Sequence, residues 1–201
     1  MENRKDQIVE TALKRFSHFG FHKTTMNEIA DDLRITKANL YYYYPDKSSL
    51  ILDVLNFIID GIHQEELEII KKYNNNLIDI IIEILTMKNS FMRKYYVLHI
   101  TENMDWLKGI DIKCTMEEHY ERDMLCVEVL FKKAIEAGEL SMDDPKEAAQ
   151  AFTEIIKGVS LLHTLSDVIT GIPNEENIAI ILASQIRAAR LIFEGRIIRN
   201  K

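Results

Sequence analysis

From Arg4 to Phe19 the apolar residues Ile8, Val9, Ala12, Leu13, Phe16 and Phe19 recur at three- and four-residue steps, the spacing of a helix with one buried face. Gly20 follows where a helix stop belongs. Thr25-Met26-Asn27-Glu28 is a capping box, and Ile29, Ala30 and Leu33 then mark one face of a short helix. Thr36 caps a third helix, with Ile35 and Leu40 placed as a hydrophobic staple, and Pro45-Asp46 closes it and opens a fourth. The pattern therefore predicts three short helices within residues 1–45. A long amphipathic run reaches Lys72, Asn74-Asn75-Asn76 interrupts it, and helical spacing resumes from Leu77 to about Met104, with room for a break near Lys88–Ser90. After an irregular stretch from Asp105 to Lys113, the box Thr115-Met116-Glu117-Glu118 opens a helix expected to run to Gly138. Asp144-Pro145 opens another, ending near Gly171-Ile172-Pro173, and a last helix is expected from about 174 to 196. No strand pattern and no internal repeat is evident, so the expected fold class is all-α.

The first three helices, two of them short and joined by a tight turn, have the layout of a helix-turn-helix. At about 100° per residue, Leu40, Tyr41 and Tyr44 share one face of the third helix, and Ala38, Asn39, Tyr42 and Tyr43 share the other. Tyr41 and Tyr44 are expected in the core. Tyr42, Tyr43 and Asn39 then face outward, within reach of phosphates or base edges. Thr36 and Lys37 stand at the helix start, where backbone N–H groups favour phosphate, and Lys47 opens the next helix toward the same side.

Charge alters this picture only after it is divided. The net charge of −7 argues against a nucleic-acid binder as a whole. Residues 1–50, however, hold eight Lys/Arg against seven Asp/Glu, while the remainder holds 17 against 25. The acid lies in the second part, which leaves room for a basic surface on the first. Seven Gly and three Pro disfavour an all-β fold, and two Cys cannot build a disulfide framework. No apolar run approaches the ~18 residues of a membrane span, and the charged opening MENRKDQIVE does not read as a signal peptide. The expected setting is the cytoplasm, without membrane contact. No phosphate-binding glycine loop or Gly-x-Ser-x-Gly elbow occurs, so no catalytic residue and no cofactor is expected.

Residues 20–47, GFHKTTMNEIADDLRITKANLYYYYPDK, resemble the signature of the TetR family of bacterial repressors. Gly20-Phe21, Thr25, Ile29-Ala30, Leu40-Tyr41-x-Tyr43-Tyr44 and Lys47 fall at the family's spacing without gaps. The turn position that is often Gly is Arg34, and the usual Phe closing the third helix is Tyr44. The resemblance implies a helix-turn-helix DNA-binding domain at 1–46 and a helical ligand-binding and dimerisation domain at 47–201. It implies DNA contacts from Thr25, Thr36, Lys37, Ala38, Asn39, Tyr42, Tyr43 and Lys47, on double-stranded operator DNA. Lys47, Tyr43 and Thr25 would hold the backbone, and Lys37, Asn39 and Tyr42 would read bases.

The last two helices carry apolar stripes that include Phe152, Ile155, Val159, Leu162, Leu182, Ile186, Ala189 and Phe193. Taken alone, these fit a subunit core as well as a partner. The resemblance places them in a homodimer interface. In the middle helices, Met87, Phe91, Tyr95, His99, Trp106, Met116, Tyr120 and His163 combine bulky apolar groups with polar ones, a set suited either to lining a cavity for an unidentified small-molecule inducer or to filling a core. Cys114, His119, Asp123 and Cys126 lie close in sequence, but they lack a paired metal-ligand spacing, so no metal site is expected. The function expected is a transcriptional repressor released from its operator by a ligand. An all-α carrier or enzyme whose helix-turn-helix only packs is the alternative.

Overall fold

The computed structural model describes residues 4–95, 112–170, 176–195 and 197. Eight helices are present among them: α1 (Arg4–Lys23), α2 (Met26–Asp32), α3 (Lys37–Tyr43), α4 (Lys47–Lys71), α5 (Leu77–Lys94), α6 (Ile112–Glu136), α7 (Pro145–Thr170) and α8 (Glu176–Phe193). No strand occurs among the described residues. One isolated bridge pairs Leu140 with Ile197. No described helix is long and apolar enough to cross a membrane.

The apolar pattern sorts into two cores. The first gathers Ile8, Ala12 and Phe16 of α1, Ile29 of α2 and Leu40 of α3. Leu50, Ile51, Val54 and Ile58 of α4 complete it, together with Tyr95 beyond α5. Its packing thus continues past residue 46. The second core runs from Ile69 and Ile70 at the far end of α4 through α5, α6, α7 and α8. α4 is common to both.

Local signals account for the ends of the elements. Gly20 breaks α1 with φ 79° and ψ 168°, which lets Phe21 turn back against Phe16 with ring centroids 5.0 Å apart. Both halves of the Thr25–Glu28 capping box form. Asn76 caps α5, and Asp144 Oδ1 accepts the N–H groups of Lys146 and Glu147 at 3.0 Å each. α5 is continuous through Lys88–Ser90. Lys88 and Asn89 face a cavity, and Ser90 Oγ donates to Met87 O at 2.7 Å within the helix, so none of them breaks it. α6 begins at Ile112, so Thr115 lies inside it and its expected cap is not used.

The α2–α3 turn is a Schellman motif, with Ile35 N–H donating to Ala30 O and Arg34 N–H to Asp31 O, both at 3.0 Å. Arg34 has φ 53°, a left-handed conformation that costs a non-glycine residue about 1–2 kcal/mol. Arg34→Gly is expected to remove that strain and, after its own entropy loss, raise stability by about 0.5–1 kcal/mol, read by thermal or urea unfolding. An unchanged or lowered stability would show that the Arg34 side chain makes up for the strain elsewhere.

Candidate functional site

The two faces of α3 differ sharply. Leu40 is fully buried, and the next core side chain, Tyr44, enters from an extended residue just past the helix. Its hydroxyl donates to Asp53 at 2.9 Å, which supplies the partner a buried phenol needs. Burial and this carboxylate both raise the Tyr44 pKa. Of the other tyrosines, Tyr42 keeps to the expected split, and Tyr41 and Tyr43 depart from it. Tyr42 is 83% exposed and stands outward. Tyr41, expected in the core, is 39% exposed, with Lys37 Nζ 5.5 Å from its ring centre. Tyr43 is half-buried against the first core, edge-on to Tyr42 at 5.3 Å. Regular stepping accounts for both: from the buried Leu40, Tyr41 lies about 100° round the helix and Tyr43 only about 60°, so Tyr43 packs against the core and Tyr41 turns outward.

Thr36, Lys37, Ala38 and Asn39 are exposed in succession at the start of α3. Thr36 Oγ1 accepts the Asn39 N–H at 3.2 Å, so this cap holds the turn that presents them. Thr25 is exposed, but its hydroxyl is engaged with Glu28 Oε2 at 2.8 Å. Lys47 is half-buried at the start of α4. Burial lowers its pKa, and Glu28 works in the opposite direction. Arg15 forks onto Asp32, with Nη2 2.9 Å from Oδ1, and lies 3.4 Å from Glu28 Oε1, tying α1 to α2. Thr36, Lys37, Ala38, Asn39 and Tyr42 thus form one outward surface, with Thr25, Tyr43 and Lys47 at its margin.

A cavity of about 350 Å³ lies between α4, α5, α6, α7 and α8. A wider groove of about 1030 Å³ runs along Asn75, Asp79, Arg190 and Glu194. The smaller space holds the buried chemistry. Its walls include Ile59, Ile62, Ile84, Leu85, Met92 and Val127, and its polar end is His63, Glu66, Lys88, His119 and Asp123. Lys88 Nζ stands 2.8 Å from Glu66 Oε1 and 3.0 Å from Asp123 Oδ1. Burial works against this ammonium, but Glu66 and Asp123 outweigh it and raise its pKa. Burial likewise works against the Asp123 carboxylate, yet Lys88 and Lys157 hold it at about 2. Burial, then the neighbouring His63, lowers the pKa of His119. Several buried atoms keep no hydrogen-bond partner: His63 Nδ1, Glu66 Oε2, His119 Nδ1 and Thr153 Oγ1.

Of the residues expected to line a cavity, Met116 lines this one, while Met87 and Tyr95 border two other, separate hollows. Met87 is packed in the second core, Phe91 bridges the two cores, and Tyr95 closes the first. The cavity face of α5 carries Ile84, Leu85, Lys88, Asn89 and Met92, which turns Met87 and Phe91 away. The Tyr120 hydroxyl donates to Glu154 at 3.0 Å, outside the lining. His163 is half-buried beyond Ser160, where the lining ends on α7. His99 and Trp106 lie outside the described residues. Of the polar end, His119 and Asp123 stand out in the sequence only as part of a metal set that is not expected to form, and His63, Glu66 and Lys88 go unrecognised. The missed signal is His63 and Glu66 set within the apolar run Ile59, Ile62, Ile69 and Ile70 of α4.

The stripes on α7 and α8 also divide. Phe152, Ala189 and Phe193 are buried in the second core, where Phe131, Phe152 and Phe193 meet at 5.5–5.8 Å between centroids. These three do not face a partner, contrary to the expectation, because their own subunit already covers them. Leu182 and Ile186 are half-buried against the same core, and Val159 is half-buried on α7. Ile155 is 45% exposed and Leu162 71%, with Ile169 and Leu191 also outward.

Two family models match this chain. One, described as bacterial regulatory proteins of the tetR family, matches residues 8–54. The other, described as the C-terminal domain of AefR-like transcriptional repressors, matches residues 113–189. The regulator RutR of Escherichia coli strain K12 is 44% identical over 57 residues, which is 28% of this chain and 27% of RutR. The regulator AcrR of Shigella flexneri is 26% identical over 141 residues, covering 70% of this chain and 54% of AcrR. In both cases the match spans less than two thirds of the relative. A transcriptional regulator from Cytophaga hutchinsonii has the same fold, with a TM-score of 0.83 at 22% identity over 94% of this chain and 96% of that one. With the helix-turn-helix matched at one end and the helical domain at the other, the chain belongs to the TetR family of bacterial regulatory proteins.

Proposed function

We propose that the protein is a homodimeric repressor that binds operator DNA through α3 and is released when a small molecule occupies the cavity between α4 and α8. The observation that carries the DNA-binding reading is the exposed run Thr36–Asn39 with Tyr42, standing on a core that buries Leu40. The cavity supports the ligand, since apolar walls with a few convergent polar atoms are the usual make-up of a small-molecule site. The uncovered apolar face of α7 supports the dimer. On it Gly158 is exposed, and a Cβ built there meets nothing within 4 Å, so a partner helix has room to approach. Two such subunits would set their α3 helices in successive major grooves, about 34–36 Å apart. The ligand acts through its differential affinity for the DNA-bound and released shapes, transmitted along α4.

Fluorescence anisotropy on DNA from the protein's own promoter region tests this. Wild type is expected to bind with steep salt dependence. Lys47→Ala should weaken all sequences alike and reduce the salt slope by about 1 per subunit. Asn39→Ala and Tyr42→Ala should instead change operator preference, by about 1–3 kcal/mol between bases. Salt-insensitive or absent binding by wild type would refute the reading. Unchanged operator ranking in both variants would remove these two residues from base recognition.

A further inference from the structure

We propose that His63, Glu66 and Cys126 form a binding site for a divalent d-block cation of the Zn²⁺ class at the polar end of the cavity. One donor atom from each, all three residues buried, lies within 4.8 Å of the other two. His63 Nδ1 and Glu66 Oε2 are 3.7 Å apart. Donors bonded at about 2.0–2.3 Å to a tetrahedral ion stand roughly 3.3–3.8 Å from one another, so a side-chain adjustment of about 1 Å closes the set. Imidazole, carboxylate and thiolate together suit zinc and its neighbours and not Mg²⁺ or Ca²⁺, which take oxygen ligands.

The second observation is independent of the spacing. His63 Nδ1 and Glu66 Oε2 are buried and have no hydrogen-bond partner, which is costly for a polar atom unless something occupies the space between them. Lys88 holds the other carboxylate oxygen, Oε1, at 2.8 Å. This is the kind of outer contact that orients a ligating carboxylate, and it directs Oε2 inward. Asp123 in turn holds Lys88 at 3.0 Å. His63 and Glu66 are one turn apart on α4, and Cys126 comes from α6, so the ion would join the two helices. Three protein donors leave a fourth position for water or for a group on a molecule in the cavity. On binding, the Cys126 S–H bond is replaced by an S–metal bond and the proton passes to solvent.

Cobalt(II) is the probe. The full-length protein, stripped with chelator and dialysed, is titrated with Co²⁺ while near-ultraviolet thiolate-to-cobalt charge transfer and visible d–d bands are recorded. One Co²⁺ per subunit with both signals, displaced by Zn²⁺, is expected. Cys126→Ser should lose the charge-transfer band, and Cys114→Ser, at an exposed thiol outside the site, should keep it. His63→Gln and Glu66→Gln should weaken cobalt binding at least about tenfold while circular dichroism confirms retained helix. No charge-transfer band in wild type at stoichiometric cobalt overturns the proposal whatever the variants do. A band that survives Cys126→Ser, or disappears in Cys114→Ser, overturns it too. These readouts use no DNA, so a failure here leaves the operator-binding reading intact, and a failure of operator binding leaves the metal site intact.

Discussion

Leu162→Glu is expected to convert the protein from dimer to monomer and to weaken operator binding by about 10²–10⁴-fold. Leu162 is 71% exposed in the subunit, so the substitution removes no core contact and the isolated fold should persist. In a dimer built on this face of α7, the new carboxylate would have to enter an apolar seam without a partner, at a cost of several kcal/mol. Loss of the dimer uncouples the two half-sites. The second α3 then no longer gains from the effective concentration set by the first, which is the source of the large drop. Light scattering at micromolar concentration reads the first effect and anisotropy on operator DNA the second. A variant that remains dimeric places the interface elsewhere. A monomeric wild type that still binds operator tightly would end the two-half-site mechanism.

Glu139→Ala is expected to destabilise the larger domain by about 3 kcal/mol, which lowers the melting temperature by roughly 10 °C for a chain of this size. Gly138, with φ 72°, ends α6 in the left-handed conformation, and Glu139 N–H closes that end by donating to Ala134 O at 2.9 Å. The turn aims the Glu139 carboxylate at the start of α5. There it accepts the Leu77 N–H at 2.9 and 3.0 Å and the Tyr73 hydroxyl at 2.6 Å. Leu77 is fully buried, so removing the carboxylate strands a buried amide donor at a helix end as well as a phenol. Glu139→Gln keeps one acceptor and should lose about half as much. Tyr73→Phe should lose only about 1 kcal/mol, since it leaves the amide satisfied. Equal losses in Glu139→Ala and Tyr73→Phe would show that the amide bond contributes nothing, against this account.

Elements defined by neighbours in sequence were legible before the structure. The Thr25 box, the Thr36 cap, the Asn74–Asn76 interruption and the Asp144-Pro145 start each act within four residues, and each appears where expected. Contacts between distant helices were not legible. Phe152 and Leu162 read alike on an apolar stripe, but only Phe152 finds Phe131 and Phe193 across the subunit. The polar end of the cavity was not legible as a unit for the same reason. Glu66 and Lys88 are not marked as a site by the sequence, and Asp123 is weighed there only with Cys114, His119 and Cys126, until α4, α5 and α6 bring the three together. Arg34 is an intermediate case. The sequence marked the turn, but the sign of φ, and with it the strain, came from the Schellman geometry.

The division of α4 between two cores sets a rule for exchanging parts. Leu50, Ile51, Val54 and Ile58 form one wall around Ile8, Phe16, Ile29 and Leu40. A chimera joined at residue 46 would therefore give the DNA-reading unit a foreign wall, with new side-chain volumes against a closely packed interior. A junction between Ile58 and Ile69 keeps the buried α4 residues of the first core with their own helices, so that only Ile62, Phe91 and Tyr95 would meet the first core from the exchanged side. Grafts of a different sensory domain should be tolerated there and should fail further upstream. Recombination among relatives that preserves folding is constrained in the same way, with the first turns of α4 inherited together with the helices that touch DNA.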